Sequence, residues 1–583
     1  MRVIRKMINN EYLKNIFSET LKEIYANSEI NFNDFDITFD IPKNPEHGDL
    51  STNICMQFSK KLQTNPRKMA DEILNKIKFD KDFISEITVA GAGFINIKFT
   101  EKYYQNQLKE INLQGNNYGK TYEHKNKTVN VEYVSANPTG LLHLGHGRNA
   151  AIGDTLANLY SWTGWKVVRE YYFNNAGNQM TNLTKSIYAR MMQISTDENF
   201  PFPEDGYHGE YVKTIAEELI AIHKDALKGG TVKDFEVIKK FGEEWCFDKI
   251  KHTLKRMKIE QDIFYNEDSL YKDGKIEQVL SELKEKNLSY EKDGAIWFSL
   301  SKLGLEDDRV IVKSSGEPTY RLPDIAYHRE KLLRGYDLVV DLFGADHIAT
   351  VPDVLAGVRA LGFDSAKVKV VIHQFVTLME NGEQVKMSKR TGKSYTLDEL
   401  LDDVGEDVVR FFLIMRGVNT HLEFDLSLAK EQSDKNPVFY LQYAYARICS
   451  IFEKINQNIT FGGGFYGYSS IDQETGDVTL CDAIIDFSYH NLELLKDASE
   501  IKLIKQLMLF PSAIQLASNK SEPQVLCEYL REVAAAFHLF YHNCRIIGED
   551  IELMKARLFL AKITKIVLKN GLTILGISQP ERM

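Results

Sequence analysis

Two segments of the 583-residue chain carry residue types suited to gripping a triphosphate. The first is His143-Leu144-Gly145-His146, which follows an apolar run and opens an amphipathic stretch. On a helix, residues three apart lie on one face about a turn apart, so both imidazoles can address the same phosphate. Gly145 has no Cβ and would let an adenine or ribose approach the backbone closely. The plain alternative is that the histidines merely cap a helix. The second segment is Lys386-Met387-Ser388-Lys389-Arg390, with Lys393 behind it and Gly382 and Gly392 on its borders. Several cations on one loop repel each other unless an anion or water neutralises them, and a solvated basic turn is the usual outcome. Taken together, the segments predict ATP handling, with the loop clamping the β- and γ-phosphates and stabilising charge on the leaving pyrophosphate. A phosphate-binding Gly-x4-Gly-Lys-Ser/Thr loop does not occur.

Residues that act on phosphates in this way need a parallel sheet behind them, because helix N-termini then converge beyond the C-terminal strand ends. From Thr128 short apolar strands alternate with helices. Strands are expected over 129–134 and 165–172, with a helix over 150–162 between them. An insertion of long charged helices spans about 179–260. Strand character resumes over 295–300, 310–312, 337–342 and 368–376.

Before this lies a small α/β unit, residues 1–115. It has a helix through Tyr12, Leu13, Ile16, Phe17 and Leu21, and an alternating strand over 35–39. Two further helices follow, Pro66 fitting a first turn, and then a strand over 94–99 after Gly91-Ala92-Gly93. Gly115-Asn116-Asn117 closes it. Beyond about residue 422 strands give way to helical periodicity, with Gly462-Gly463-Gly464 as a connection. The expected fold is therefore α/β: a Rossmann-like catalytic domain over 116–421, preceded by an α/β domain and followed by an all-α bundle over 422–583.

Composition sets bounds. The length implies three to five folding units, and 43% hydrophobic residues suffice for their cores. No stretch approaches the roughly 20 apolar residues of a membrane span, and the N-terminus lacks the apolar core of a secretion signal, so a cytoplasmic protein is expected. Six scattered cysteines without a Cys-x-x-Cys pair read as buried small hydrophobes, and no metal site is expected. A net charge of −10 argues against indiscriminate nucleic-acid binding while leaving room for a local track for one structured RNA.

The two phosphate segments resemble the HIGH and KMSKS signatures of class I aminoacyl-tRNA synthetases. Val131-Glu132-Tyr133-Val134-Ser135-Ala136-Asn137-Pro138-Thr139-Gly140, Asn174 to Gln179, Tyr320 to His328, Phe343 to His347, Asn436 to Arg447, Phe540 to Asp550 and the ending Pro580 to Met583 are similar to the arginyl-tRNA synthetase family. His47 to Leu50 and Gly91 to Asn96 extend the resemblance into the first domain.

The resemblance implies roles. Glu267, Tyr320 and Asp324 match positions that hold a guanidinium, whose planar fork suits carboxylates with an aromatic wall. Asn137 and Glu132 match positions reaching the amino-acid backbone, and Asp346 is a further candidate for the arginine site. His143, Gly145, His146, Met387, Ser388 and Lys389 would bind ATP, with His143, His146, Lys386 and Lys389 catalytic. Tyr440, Tyr443, Tyr445 and Arg447 are candidates for stacking on anticodon bases, although aromatics at helical spacing are more often core. Met583 joins them, and Lys555, Arg557, Lys562, Lys565 and Lys569 supply nearby positive charge. The first domain would touch the tRNA elbow. Two positions depart from the family pattern: Arg390 stands where serine is frequent, and Asn175 where aspartate is common.

The implied reaction joins arginine to its tRNA in two steps, through an arginyl-adenylate and then attack by the terminal 2′-hydroxyl, with ATP accompanied by Mg2+. Expected partners are tRNA, L-arginine and ATP, with neither DNA nor membrane, and the protein is expected to be a monomer. No editing domain is needed, because a smaller amino acid would leave buried carboxylates unpaired. The rival readings are a synthetase for another amino acid and a catalytically silent tRNA-binding paralogue.

Overall fold

The computed structural model describes residues 10–26, 37–40, 42, 44–223, 226–385, 395–460, 491–547 and 550–583. At its centre five parallel strands run Thr128–Glu132, Lys166–Phe173, Ile263–Asn266, Leu338–Gly344 and Val368–His373. Their spatial order is fifth, fourth, first, second, third. The chain thus winds away from the first strand on one side and restarts on the other with the fourth. That reversal leaves a crevice beyond the C-terminal ends of these two strands, where open parallel sheets bind ligands. Helix Leu144–Trp162 follows the first strand and helix Arg321–Leu333 precedes the fourth, so both begin at this crevice.

Val129, Val131, Val339 and Val340 are fully buried, as expected for a sheet covered on both faces. Register also aligns Asp341 with Glu132 and Glu132 with Glu170 across three neighbouring strands. Residues paired in this way project from one face, so the three acids form a row. Helix Arg321–Leu333 covers the row. Lys331 pairs with Glu132 and, at 2.6 Å, with Asp341, and Arg334 pairs with Glu170 at 2.8 Å. Unpaired carboxylates there would be strongly destabilising.

Several elements differ from expectation. The strands foreseen over 295–300 and 310–312 exist as Ala295–Phe298 and Arg309–Val312, but with Ser289–Lys292 they form a separate antiparallel sheet. Their place is taken by Ile263–Asn266, four residues at a sheet edge and too few to show a period. The run over 368–376 breaks after His373, and Val376–Glu380 pairs instead with Leu422–Asp425. Strand structure therefore persists past residue 422. Residues 37–39 are irregular, with Asp40 only bridging Ser51. Residues 35 and 36 and the triglycine 462–464 lie outside the described residues.

The inserted helices Gly177–Ser195, Glu210–His223 and Val232–Arg256 enclose their own core around Ile187, Ile215 and Ile238. Pro66 begins helix Pro66–Lys76, where Asn65 accepts from the Arg67 and Lys68 amides. Helices Pro437–Thr460, Ala498–Met508, Phe510–Lys520, Gln524–Asn543 and Ile551–Leu575 make the C-terminal bundle. The last is tied to helix Leu144–Trp162, since Asn158 donates to the Ile574 carbonyl at 3.0 Å and the buried Arg410 joins the Leu575 carbonyl to Asp154. Among the described residues no helix is long and apolar enough to cross a membrane.

Candidate active site

His143 is the N-cap of helix Leu144–Trp162, and its Nδ1 accepts from the amides of Gly145 at 3.1 Å and His146 at 3.4 Å. His146 Nδ1 accepts in return from the His143 amide at 3.3 Å, a capping box built from two imidazoles. The rings stack with centroids 3.7 Å apart and 19° between planes. A Cβ on Gly145 would lie 3.0 Å from His143 Cε1, so the glycine makes room for this ring. A neutral imidazole that accepts at Nδ1 carries its proton on Nε2, so each ring can act as an N–H donor with the positive helix end behind it. Burial, then His143 and His373, lower His146 to about 3, so it is a neutral donor at physiological pH.

Lys386, Met387, Ser388, Lys389, Arg390 and Lys393 lie outside the described residues. Their flanks do not. Before them Glu383–Gln384 pairs with Val376–Glu380, and after them Thr396 bridges His143 while the Leu397 amide donates to the Leu142 carbonyl at 2.8 Å. The chain that leaves the basic segment thus comes directly against the histidine tetrapeptide. Thr396 and Glu399 form a capping box that starts helix Leu397–Val404 there.

Acidic residues gather at the same strand ends. Glu267 directly follows the third strand, and Asp324 lies in the first turn of helix Arg321–Leu333. The Tyr172 hydroxyl donates to Glu267 Oε2 at 2.7 Å, and that of Tyr271 to Oε1 at 3.4 Å. Burial raises Asp324 to about 7; His328 and Lys331 oppose the rise, and the nearby charges of Glu132 and Glu267 add to it. Burial raises Glu267 as well. Carboxylates that resist ionising beside one another are best relieved by a cation with several N–H donors, as a guanidinium is.

Behind this pocket His328 Nε2 meets Asp341 at 2.9 Å and Nδ1 meets the Asp324 carbonyl at 2.7 Å. Both neighbours accept only, so both ring nitrogens are protonated and His328 is an imidazolium holding the Asp324 backbone. Burial, with the charge of Asp341, raises Glu132 against the opposing Lys331 and His328, and its carboxylate is taken by Lys331 and by the Ser135 hydroxyl at 3.0 Å. Glu132, expected at the amino-acid backbone, is 3% exposed and committed to this buried row.

The other expected residues spread around the crevice. Tyr320 is 82% exposed at the helix start, its carbonyl accepting from the Asp324 amide at 3.2 Å. Asn137 donates to Gln179 at 2.8 Å and accepts from the Asn174 amide at 2.9 Å, which ties its loop to the insertion. Asp346 is exposed, 3.6 Å from His347, and its charge acts on His373; it sits on the imidazole side and not with Asp324. Asn175 donates to Glu243 at 2.8 Å, where an aspartate would oppose that carboxylate. Sequence reasoning missed Tyr172, His328 and Lys331. The available signal was Asp341, an acid inside the apolar run 338–342.

A separate cavity of about 500 Å³ opens in the helical bundle. Tyr443, Arg447 and Met583 line it with Lys454, Tyr541 and Arg545. The Arg447 guanidinium lies 4.6 Å from the Tyr443 ring and 4.7 Å from that of Tyr541. Tyr440 is outside, packed on His538 with centroids 4.8 Å apart, and Tyr445 is buried. Part of the expected basic run is already paired: Arg557 with Glu500, Lys555 with Glu552 and Lys565 with Glu581.

Three family models match the chain in succession: the arginyl tRNA synthetase N terminal domain over 11–99, the catalytic domain of class I (R) tRNA synthetases over 107–414, and the DALR anticodon binding domain over 441–583. An arginine–tRNA ligase of Salinibacter ruber is 45% identical over 567 residues, covering 94% of this chain and 96% of its own. One from Desulfotalea psychrophila is 45% identical, covering 94% of each chain. The arginyl-tRNA synthetase structure of Thermus thermophilus superposes with a TM-score of 0.72 over 99% of this chain and all of its own; at 19% identity it speaks for the fold alone. By domain order, extent and identity, the chain belongs to the arginyl-tRNA synthetase family of class I synthetases.

Proposed function

We propose that the protein ligates L-arginine to its tRNA at the expense of ATP. The observation that carries this is the gathering of Asp324, Glu267 and Tyr172 at the strand ends from which the imidazole-capped helix also starts. Asp324 and Glu267 hold the guanidinium, Tyr320 closes over it and Asn137 orients the amino-acid backbone. The arginine carboxylate attacks the α-phosphate in line. An acyl–phosphate bond forms, and the bridging P–O bond breaks with its electron pair leaving on pyrophosphate. His143 and His146 donate to the phosphates at the Gly145 turn, and Lys386, Met387, Ser388 and Lys389 take part with them. The terminal 2′-hydroxyl of tRNA then attacks the activated carbonyl and AMP departs. Catalysis is positioning and electrostatics, with no covalent enzyme nucleophile.

Mg2+ arrives on the triphosphate; among the described residues no group of three or more His, Cys, Asp or Glu side chains could hold a metal. At the far end, the Arg447 guanidinium between two tyrosines offers a stacking site for an unpaired anticodon base, with Met583 at its rim. Tyr440 supports this wall through His538. Residues 1–115 contact the tRNA elbow, 116–421 catalyse and 422–583 read the anticodon. The protein acts as a cytoplasmic monomer; Cys55, Cys246, Cys527 and Cys544 are free and buried, which suits a reducing compartment.

The test is charging of tRNA with ATP and each of several radiolabelled amino acids. Arginine alone should be incorporated. Charging with lysine or cysteine instead would reject the assignment, and none at all would favour a silent paralogue. Light scattering checks the monomer.

A further inference from the structure

Arg148 stands two residues beyond His146 on the same helix and is fully buried. Buried guanidinium groups ordinarily have a carboxylate partner. Arg148 instead spends its donors on four backbone carbonyls: Nη1 on Gln374 at 2.7 Å and Phe375 at 3.3 Å, Nη2 on Gly417 at 3.0 Å and Thr420 at 2.9 Å. Burial pulls its pKa down to about 10, so it stays charged at neutral pH.

The four acceptors are the two ends of one excursion. Gln374 and Phe375 leave the fifth strand of the central sheet, and 417–420 return to it, where the Gln374 amide donates to Val418 and the Leu422 amide to Phe375, each at 3.1 Å. Between these ends lie strand Val376–Glu380, the Lys386–Lys393 segment and helices Leu397–Val404 and Glu406–Ile414. The fork of one guanidinium therefore staples the root of the lysine-bearing excursion to the helix that carries both imidazoles. An ammonium offers three donors from one point and cannot span two carbonyl pairs. An apolar residue of similar volume would leave the carbonyls without donors.

We propose that Arg148 is a positioning residue for adenylate formation, setting the placement of strand Val376–Glu380 and helix Leu397–Val404 relative to His143 and His146. It rests on the functional reading above. The test is arginine-dependent exchange of radiolabelled pyrophosphate into ATP, run on the full chain with tRNA present. Arg148→Lys should lower kcat about 10- to 100-fold, the scale of an ångström-level misplacement, while KM for arginine stays within about twofold. Gly417→Ala asks the same question without touching Arg148, since its Cβ would sit 3.2 Å from Thr420 Oγ1, a contact that has to give by a few tenths of an ångström beside the second carbonyl pair. A fall in kcat of about threefold or more is expected there, again with KM for arginine held. Ile563→Val, fully buried in the C-terminal bundle, controls for stability: it should lower Tm and leave kcat alone. Should Arg148→Lys fail to fold, Gly417→Ala decides. Wild-type kcat in a folded variant, or a KM for arginine that rises as far as kcat falls, overturns the inference. A wild-type protein without arginine-dependent exchange would instead defeat the functional reading and this inference with it.

Discussion

On the carboxylate side of the crevice, Glu132, Glu170 and Asp341 are sealed beneath a helix and paired with Lys331, His328 and Arg334, while Asp324 and Glu267 lie at the strand ends with no lysine or arginine among the described residues bonded to them in the same way. On the imidazole side, His143 is exposed and the two rings are held by amides of the helix start. The first wall keeps fixed charge in a dry, preorganised setting. The second offers neutral donors at the helix end. This division suits the ligands: a guanidinium must be told from smaller amino acids, which needs buried acceptors that object to being left unpaired. A triphosphate arrives with its own charge and needs donors aimed where charge builds up.

If the walls divide the work in this way, substitutions should separate rate from arginine affinity. The largest effect is expected from His146→Ala, which should cut kcat for pyrophosphate exchange about 10²- to 10³-fold, as loss of a transition-state donor does, and leave KM for arginine unchanged. Asp324→Asn keeps the shape and removes the charge; KM for arginine should rise about 10- to 100-fold, against less than twofold for ATP. Comparable rises for both substrates would merge the two walls.

Acidity sharpens the contrast. Asp324 is raised to about 7 by its burial, and in the proposed role it meets the guanidinium as a carboxylate. As pH falls through 7 the group takes up a proton, so KM for arginine should climb by up to about tenfold per unit, then level off above 7. KM for ATP measured in parallel should lack this step. The smallest effect is expected at the far cavity, where Tyr443→Ala should raise KM for tRNA by about tenfold or less, the low end of a lost base stack, without altering either small-substrate KM.

Much of this organisation is legible in the residues. Val129, Val131, Val339 and Val340 announce buried strands, and His143 to His146 mark the helix start where the sheet reverses. What stays hidden depends on register and on long-range contact. Glu132, Glu170 and Asp341 lie far apart in sequence, and only strand pairing lines them up. Lys331 has the look of a surface lysine on an amphipathic helix, yet it is fully buried between two acids. Periodicity identifies Ala295–Phe298 as a strand but carries no information on which sheet it joins. Ile263–Asn266 is too short to declare itself.

The most direct test of the two-wall account is a crystal structure with a non-hydrolysable arginyl-adenylate analogue. The guanidinium should lie within hydrogen-bond distance of the Asp324 and Glu267 carboxylates, with the adenylate phosphate at the His143 and His146 imidazoles. A guanidinium bound at Asp346, or an adenine ring occupying the space beside Asp324, would contradict it.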